Sequence, residues 1–158
     1  MRNDALPKAA ETIRVFIENT AGSSTKRTYD ETTLEFLKSD TVSAPYPFAY
    51  GFLPDTIGGD GDCLDCFVVT DVPMVSGTVI ECVPVHLLEQ VEDGETDHKI
   101  LAVPAGTTVQ VAETAVVEIR SFIGRVFSHV PGKKILLGPL LGAFEARRYI
   151  ESCHKNRL

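Results

Sequence analysis

The hydrophobic and polar positions divide the chain into short extended runs followed by two helical stretches. Residues 12–17, Thr-Ile-Arg-Val-Phe-Ile, are mostly β-branched or aromatic and predict a first strand. Thr20-Ala21-Gly22-Ser23-Ser24 reads as a loop. Lys26–Tyr29 and Thr33–Leu37 predict two short strands around a turn at Asp30-Glu31. Between Ala44 and Pro54 the prolines at 45, 47 and 54 exclude a helix interior, so this aromatic-rich segment is extended. Asp65–Thr70 and Thr78–His86 predict core strands, with Pro84 placing the second at an edge or a bulge. Ile100–Val103 predicts another strand. Farther on, Val116, Ile119, Phe122, Ile123 and Val126 recur at helical spacing within 115–127. Residues 140–150 predict a second amphipathic helix, weakened at Gly142. Strands first and helices last indicate an α+β fold, with a single domain over residues 1–158.

Composition narrows the class. A chain of 158 residues with 44% hydrophobic and 23% charged positions can build its own core, which excludes a disordered or collagen-like chain. No apolar run approaches the ~18 residues of a membrane helix. Residues 1–7 carry no apolar export stretch, so a cytoplasmic protein with reduced thiols is expected. The formal charge of −7, from 22 acidic against 15 basic residues, argues against nucleic acid or an anionic membrane as partner. An anionic substrate would need the nearby acids neutralised first, and metal ions are the obvious means.

The candidate chemistry lies in two acidic clusters. Asp60, Asp62 and Asp65 fall within six residues, beside glycines and just before an apolar strand. Carboxylates so crowded raise one another's pKa, and a fold tolerates them when a hard cation sits among the oxygens. Glu92, Asp93 and Asp97, followed by Lys99, form the second cluster. A fold that returned this turn to the first loop would gather carboxylates from both around Mg²⁺. The competing reading is a solvated loop whose aspartates cap turns. Cys63-x-x-Cys66 has zinc or redox spacing, but the strand-like Phe67-Val68-Val69 after it points to two small buried side chains. His86, His98, His129 and His154 share no ligand spacing.

Tyr46-Pro47-Phe48-Ala49-Tyr50-Gly51-Phe52-Leu53-Pro54, the Asp60-Gly61-Asp62-x-x-Asp65 run and Asp97-His98-Lys99-Ile100-Leu101-Ala102-Val103-Pro104 together resemble soluble family I inorganic pyrophosphatase. The resemblance implies a five-stranded OB-like β-barrel with C-terminal helices packed on it. It also implies Mg²⁺-dependent hydrolysis of pyrophosphate, with several ions per site and Mn²⁺ as a possible substitute. A homo-oligomer, often a hexamer, goes with it. By position, Asp60, Asp65 and Asp97 match the principal metal ligands, with Glu92 and Glu18 as further acidic site residues. Asp62 matches the carboxylate that activates water, and Lys99 belongs to the charge network. Lys26, Lys38, Tyr46 and Tyr50 match substrate-facing positions.

The departures concern the phosphate end. Thr28 stands where the family has a second glutamate, and Lys38 where it has an arginine, a better bidentate clamp. Val126-Phe127 replaces a late Tyr-Lys pair, for which Arg125 or Lys133 is a candidate substitute. The alternatives are therefore a metal-dependent hydrolase of another phosphoanhydride or nucleotide, and a weakly active or non-catalytic phosphate-binding homologue.

Overall fold

The computed structural model describes residues 12–107 and 110–155. Strand β1 (Ile13–Asn19) is the strand expected over 12–17, and it pairs on both sides. Its partners are β4 (Ala49–Leu53) and β6 (Val79–Glu92), both antiparallel. β4 pairs with β5 (Leu64–Val68), β5 runs parallel to β8 (Lys99–Pro104), and β8 returns to β6. These five strands therefore close into a ring, which removes the exposed edges an open sheet would leave. The short β7 (Glu95–Thr96) and β9 (Ile135–Leu141) extend the far half of β6. β2 (Thr25–Tyr29) and β3 (Phe36–Thr41) form a separate hairpin.

The ring strands are buried on both faces, and their period of two sorts side chains into different clusters. Cys66 and Val68 of β5 and Ile100 and Ala102 of β8 pack with Val15, Ile17 and Leu53. Helix α2 (Ala143–Ser152) contributes Ala146 to that cluster. Phe67 and Leu101, of the opposite parity, pack with Leu88. They meet Ile119, Phe122 and Ile123 of α1 (Glu113–Arg125). The order α1 then α2 agrees with the two expected helices, each shifted by two or three residues at its start.

Three local expectations needed correction. Residues 140–141 belong to β9, where Leu140 and Leu141 face Leu88 and Leu87 across the ladder. Gly142 is accordingly the N-cap of α2 rather than a weak point inside it, and its N–H donates to Glu145 Oε1 at 3.1 Å. The second hairpin strand begins at Phe36, not Thr33, because the Asp30 carboxylate accepts the amides of Thr32 and Thr33 and stretches the turn. Finally, the strand begun at Thr78 runs on to Glu92. It shifts register between Pro84 and His86 as its proline predicts, although it lies between β1 and β8 rather than at an edge.

Gly51 is where β1 and β4 come closest. A Cβ placed there would lie 1.7 Å from the Phe16 carbonyl oxygen. Gly51→Ala should therefore separate the two backbones and lower the unfolding free energy by at least the ~1–3 kcal/mol of an overpacked core, read by urea denaturation. Parent-like stability would contradict this contact.

Candidate active site

The parallel register of β5 and β8 places Asp65 opposite Lys99. Two residues earlier, and so on the same side by strand parity, is Asp97. Its backbone amide donates to Gln90 O at 2.9 Å, which fixes the approach to β8. Tyr50 comes from β4, opposite Phe67. Lys99 is only 5% exposed, and its ammonium donates to Asp65 Oδ2 at 2.7 Å, Tyr50 Oη at 3.0 Å and Asp97 Oδ2 at 3.1 Å. Its three donors therefore have three acceptors. Burial opposes the Lys99 charge, but Asp65 and Asp97 hold its pKa above the ordinary lysine value.

Around this centre the acids are crowded. Gly61, at φ +88°, turns the loop so that the Asp62 amide donates to Asp60 Oδ1 at 3.0 Å. Burial pushes Asp97 up to about 7, with Asp65 and Asp60 adding to the shift against the pull of Lys99. Burial takes Glu18 to about 8, with Asp65 and Glu31 reinforcing it, although Glu18 Oε2 accepts the Tyr29 amide at 3.2 Å. Asp62 is also raised, by partial burial and then by Asp60 and Asp65, while Lys26 opposes the shift. The two acidic clusters thus act on one another electrostatically.

A small cavity of about 50 Å³ opens beside Lys99, lined among others by Lys26, Tyr46, Tyr50, Glu92 and Phe127. Aromatic packing holds the tyrosines: Tyr50 lies 4.7 Å from Phe67 and Tyr46 lies 4.7 Å from Phe122 of α1, centroid to centroid. Burial raises the Tyr50 hydroxyl well above the usual phenol value, followed by the charges of Asp65 and Asp97, so it remains a neutral donor. Glu92 lines the cavity and pairs with Lys133 at 2.7 Å. The neighbouring Asp93 is engaged in a turn, where its Oδ1 accepts the Lys134 amide at 2.8 Å.

Not every expected residue gathers here. Lys38 pairs with Asp40 at 3.4 Å, its side chain 66% exposed, and does not line the cavity. Glu31 lies near the acids without having been singled out. Its Oε1 accepts the Cys63 amide at 3.0 Å, and burial followed by Asp62 raises its pKa. Nothing in a turn acid five residues after Lys26 signals this role, since only the folding of the hairpin brings it to the loop. Cys63 and Cys66 are buried as expected but belong to different core clusters. Burial raises the thiol pKa of Cys63 to about 12, and burial likewise holds that of Cys66 well above the usual range.

Oxygen donors of this kind suit a hard divalent cation, which would offset both the burial and the carboxylate repulsion that raise Glu18 and Asp97. The donor chemistry therefore fits Mg²⁺ or Mn²⁺. Among the described residues, no three His, Cys, Asp or Glu side chains already form a closed metal cage.

The ring of strands has counterparts among known enzymes. The family model described as inorganic pyrophosphatase matches residues 15–157, and the chain belongs to that family. The inorganic pyrophosphatase of Nanoarchaeum equitans is 30% identical over 154 residues, covering 91% of this chain and 96% of that protein. The Synechocystis enzyme is 42% identical over 106 residues, or 66% of this chain and 62% of that protein. Among solved structures, inorganic pyrophosphatase from Thermus thermophilus superposes with a TM-score of 0.82 at 30% identity, covering 94% of each chain. The Neisseria gonorrhoeae protein gives 0.85 at 26% identity, covering 93% of this chain and 91% of that one. The OB-like architecture implied by the sequence motifs is thus shared with these structures.

Two outcomes follow from this geometry. Lys99→Met strands two half-buried carboxylates and should lower the unfolding free energy by about 3–5 kcal/mol in urea denaturation. Native protein treated with iodoacetamide should leave Cys63, Cys66 and Cys82 unmodified, as read by mass spectrometry, because all three are buried. Rapid labelling of Cys63 would contradict its placement in the core.

Proposed function

We propose that the protein hydrolyses inorganic pyrophosphate to two phosphates with the help of Mg²⁺. The observation that carries this reading is the meeting of Asp65 and Asp97 on the Lys99 ammonium, which joins two distant acidic segments within a member of this family. Asp60, Asp65 and Asp97 would hold the divalent cations, with Glu92 and Glu18 as outer acids. A bound cation would offset carboxylate charge and make water more acidic.

The chain's own residues would do the remaining work. Asp62, exposed at the loop tip, would orient the attacking water and accept its proton. Lys99 would keep Asp65 and Asp97 in position, since its contacts to both use two of its three N–H donors. Tyr50, held neutral by burial, would offer its hydroxyl to phosphate oxygen, and Lys26 and Tyr46 would line the path of the substrate. Lys38 is solvent-facing and would contribute through long-range charge. Catalysis of this kind consists mainly of positioning and charge stabilisation. A homo-oligomer, with the hexamer as the size to test by sedimentation, and a cytoplasmic location belong to the same proposal. Among the described residues no helix is long and apolar enough to cross a membrane.

Phosphate release from pyrophosphate should require Mg²⁺ or Mn²⁺, stop on chelation, and exceed release from ATP or triphosphate. Asp62→Asn should lower kcat by about 10²–10⁴-fold with little change in thermal unfolding. Well-folded protein that releases no phosphate at any Mg²⁺ concentration would refute the proposal.

A further inference from the structure

The site described so far has few cations for substrate phosphate. Lys38 faces solvent, and Val126-Phe127 occupies the place of the family's Tyr-Lys pair. A different lysine packs against two residues of the cavity lining, Phe127 and Glu92. Lys133 lies just before β9, and its Nζ is 4.9 Å from the centroid of the Phe127 ring. Lys26 Nζ lies 5.0 Å from the same centroid. Phe127 and Lys26 both line the cavity beside Tyr46 and Tyr50. Two like charges thus gather on one aromatic ring of the cavity lining.

Neither cation is saturated. Lys133 holds Glu92 Oε2 at 2.7 Å, with Asp93 Oδ2 at 4.0 Å, and an ammonium carries three donors. Among the described residues Lys26 has no ion-paired carboxylate; it lies over the ring face and acts on Asp62 and Glu18 only from farther off. An aromatic face attracts an ammonium without neutralising it, so the charge remains available to an incoming anion. The backbone that carries Lys133 is fixed. The Asp93 amide donates to Lys134 O, and the Lys134 amide donates to Asp93 Oδ1, both at 2.8 Å. This reciprocal pair ties the approach to β9 to the turn after Glu92, which keeps Lys133 against Glu92 and Phe127.

We propose that Lys133 is a substrate-binding residue of this chain, forming with Lys26 a two-lysine clamp on the Phe127 ring that grips phosphate oxygens. The clamp supplies from the approach to β9 the positive charge that Val126-Phe127 lacks. The inference rests on the proposed function for the identity of the diphosphate, but phosphate binding at the clamp can be measured without turnover.

The test compares the parent with Lys133→Ala, Lys133→Arg and Lys134→Ala, the last removing an exposed neighbouring charge. Calorimetry with inorganic phosphate and with imidodiphosphate, a diphosphate that resists hydrolysis, gives Kd. Initial rates on pyrophosphate separate KM from kcat. Lys133→Ala should weaken both ligands and raise KM by about tenfold or more, the effect of losing one hydrogen bond to a charged group. Lys133→Arg should recover most of that loss, and Lys134→Ala should match the parent. Where alanine lowers the unfolding temperature, Lys133→Gln keeps a donor for Glu92 without the charge and should show the same weakening. A parent that hydrolyses pyrophosphate while Lys133→Ala or Lys133→Gln binds phosphate unchanged would overturn the clamp and leave the activity intact. Equal weakening by Lys134→Ala would also overturn it, since general surface charge would then explain the effect. A parent that binds phosphate through Lys133 but never hydrolyses pyrophosphate would sink the proposed function and support the clamp.

Discussion

A lysine ammonium that is almost entirely removed from water organises this protein. Moving such a charge inside costs several kcal/mol unless its partners are close and well aligned. Lys99 meets that condition with Asp65 from β5, Asp97 from the approach to β8, and Tyr50 from β4. These groups come together only when β4, β5 and β8 lie side by side in the closed ring. The dependence also runs the other way. Without the ammonium, Asp65 and Asp97 would face each other half-buried, and burial already pushes Asp97 up to about 7 with the cation present. Assembling the ring and assembling the charge centre are therefore one physical event.

The division of the core into two clusters explains why the site opens on only one side. Strand parity sends Cys66, Ile100 and Ala102 toward α2, where the packing is apolar and closed. Phe67 and Leu101 point the other way, toward α1. Asp65 and Lys99 share the parity of Phe67 and Leu101, so the polar groups emerge on the face where α1 and the tyrosines leave a cavity. Phe122 of α1 packs on Tyr46, and Tyr46 stacks at 5.4 Å on Tyr50. The helix thus fixes the ring orientations through which Tyr50 presents its hydroxyl to Lys99.

Much of this was legible in the residues, for identifiable reasons. The ring strands are buried on both faces, so 100–103 stands out as a continuous apolar run, and 13–17 and 64–68 as apolar runs broken only by Arg14 and Asp65. The two acidic clusters could be paired because their motifs are specific even though they lie far apart. β3 was misplaced because all six of its residues are exposed, leaving the apolar pattern no information about register. β9 was missed because Gly138 and Pro139 interrupt a leucine-rich run that also suits a helix start. Its pairing with β6 is a tertiary fact. Glu31 and Lys133 reach the site through the hairpin and through β9, the two elements whose placement local sequence does not determine. Lys38 was matched to a substrate-facing position through the family resemblance, and the strand register sets it beside Asp40 and solvent.

The chain's overall charge of −7 gives these late-arriving lysines a physical purpose. An anion approaching Asp60, Asp62, Asp65 and Asp97 meets a repulsive field, and Lys99 cannot counter it because its donors are already committed. Cations that receive substrate must lie off the acid cluster and keep their charge. A carboxylate partner would cancel that charge, while water would allow a long side chain to move freely. For Lys26 the face of Phe127 avoids both outcomes, whereas Lys133, within about 5 Å of the same ring centre, also pairs with Glu92 and offers only its remaining donors. The site therefore sets ammonium groups beside its acids, with Lys99 between Asp65 and Asp97 and Lys133 on Glu92.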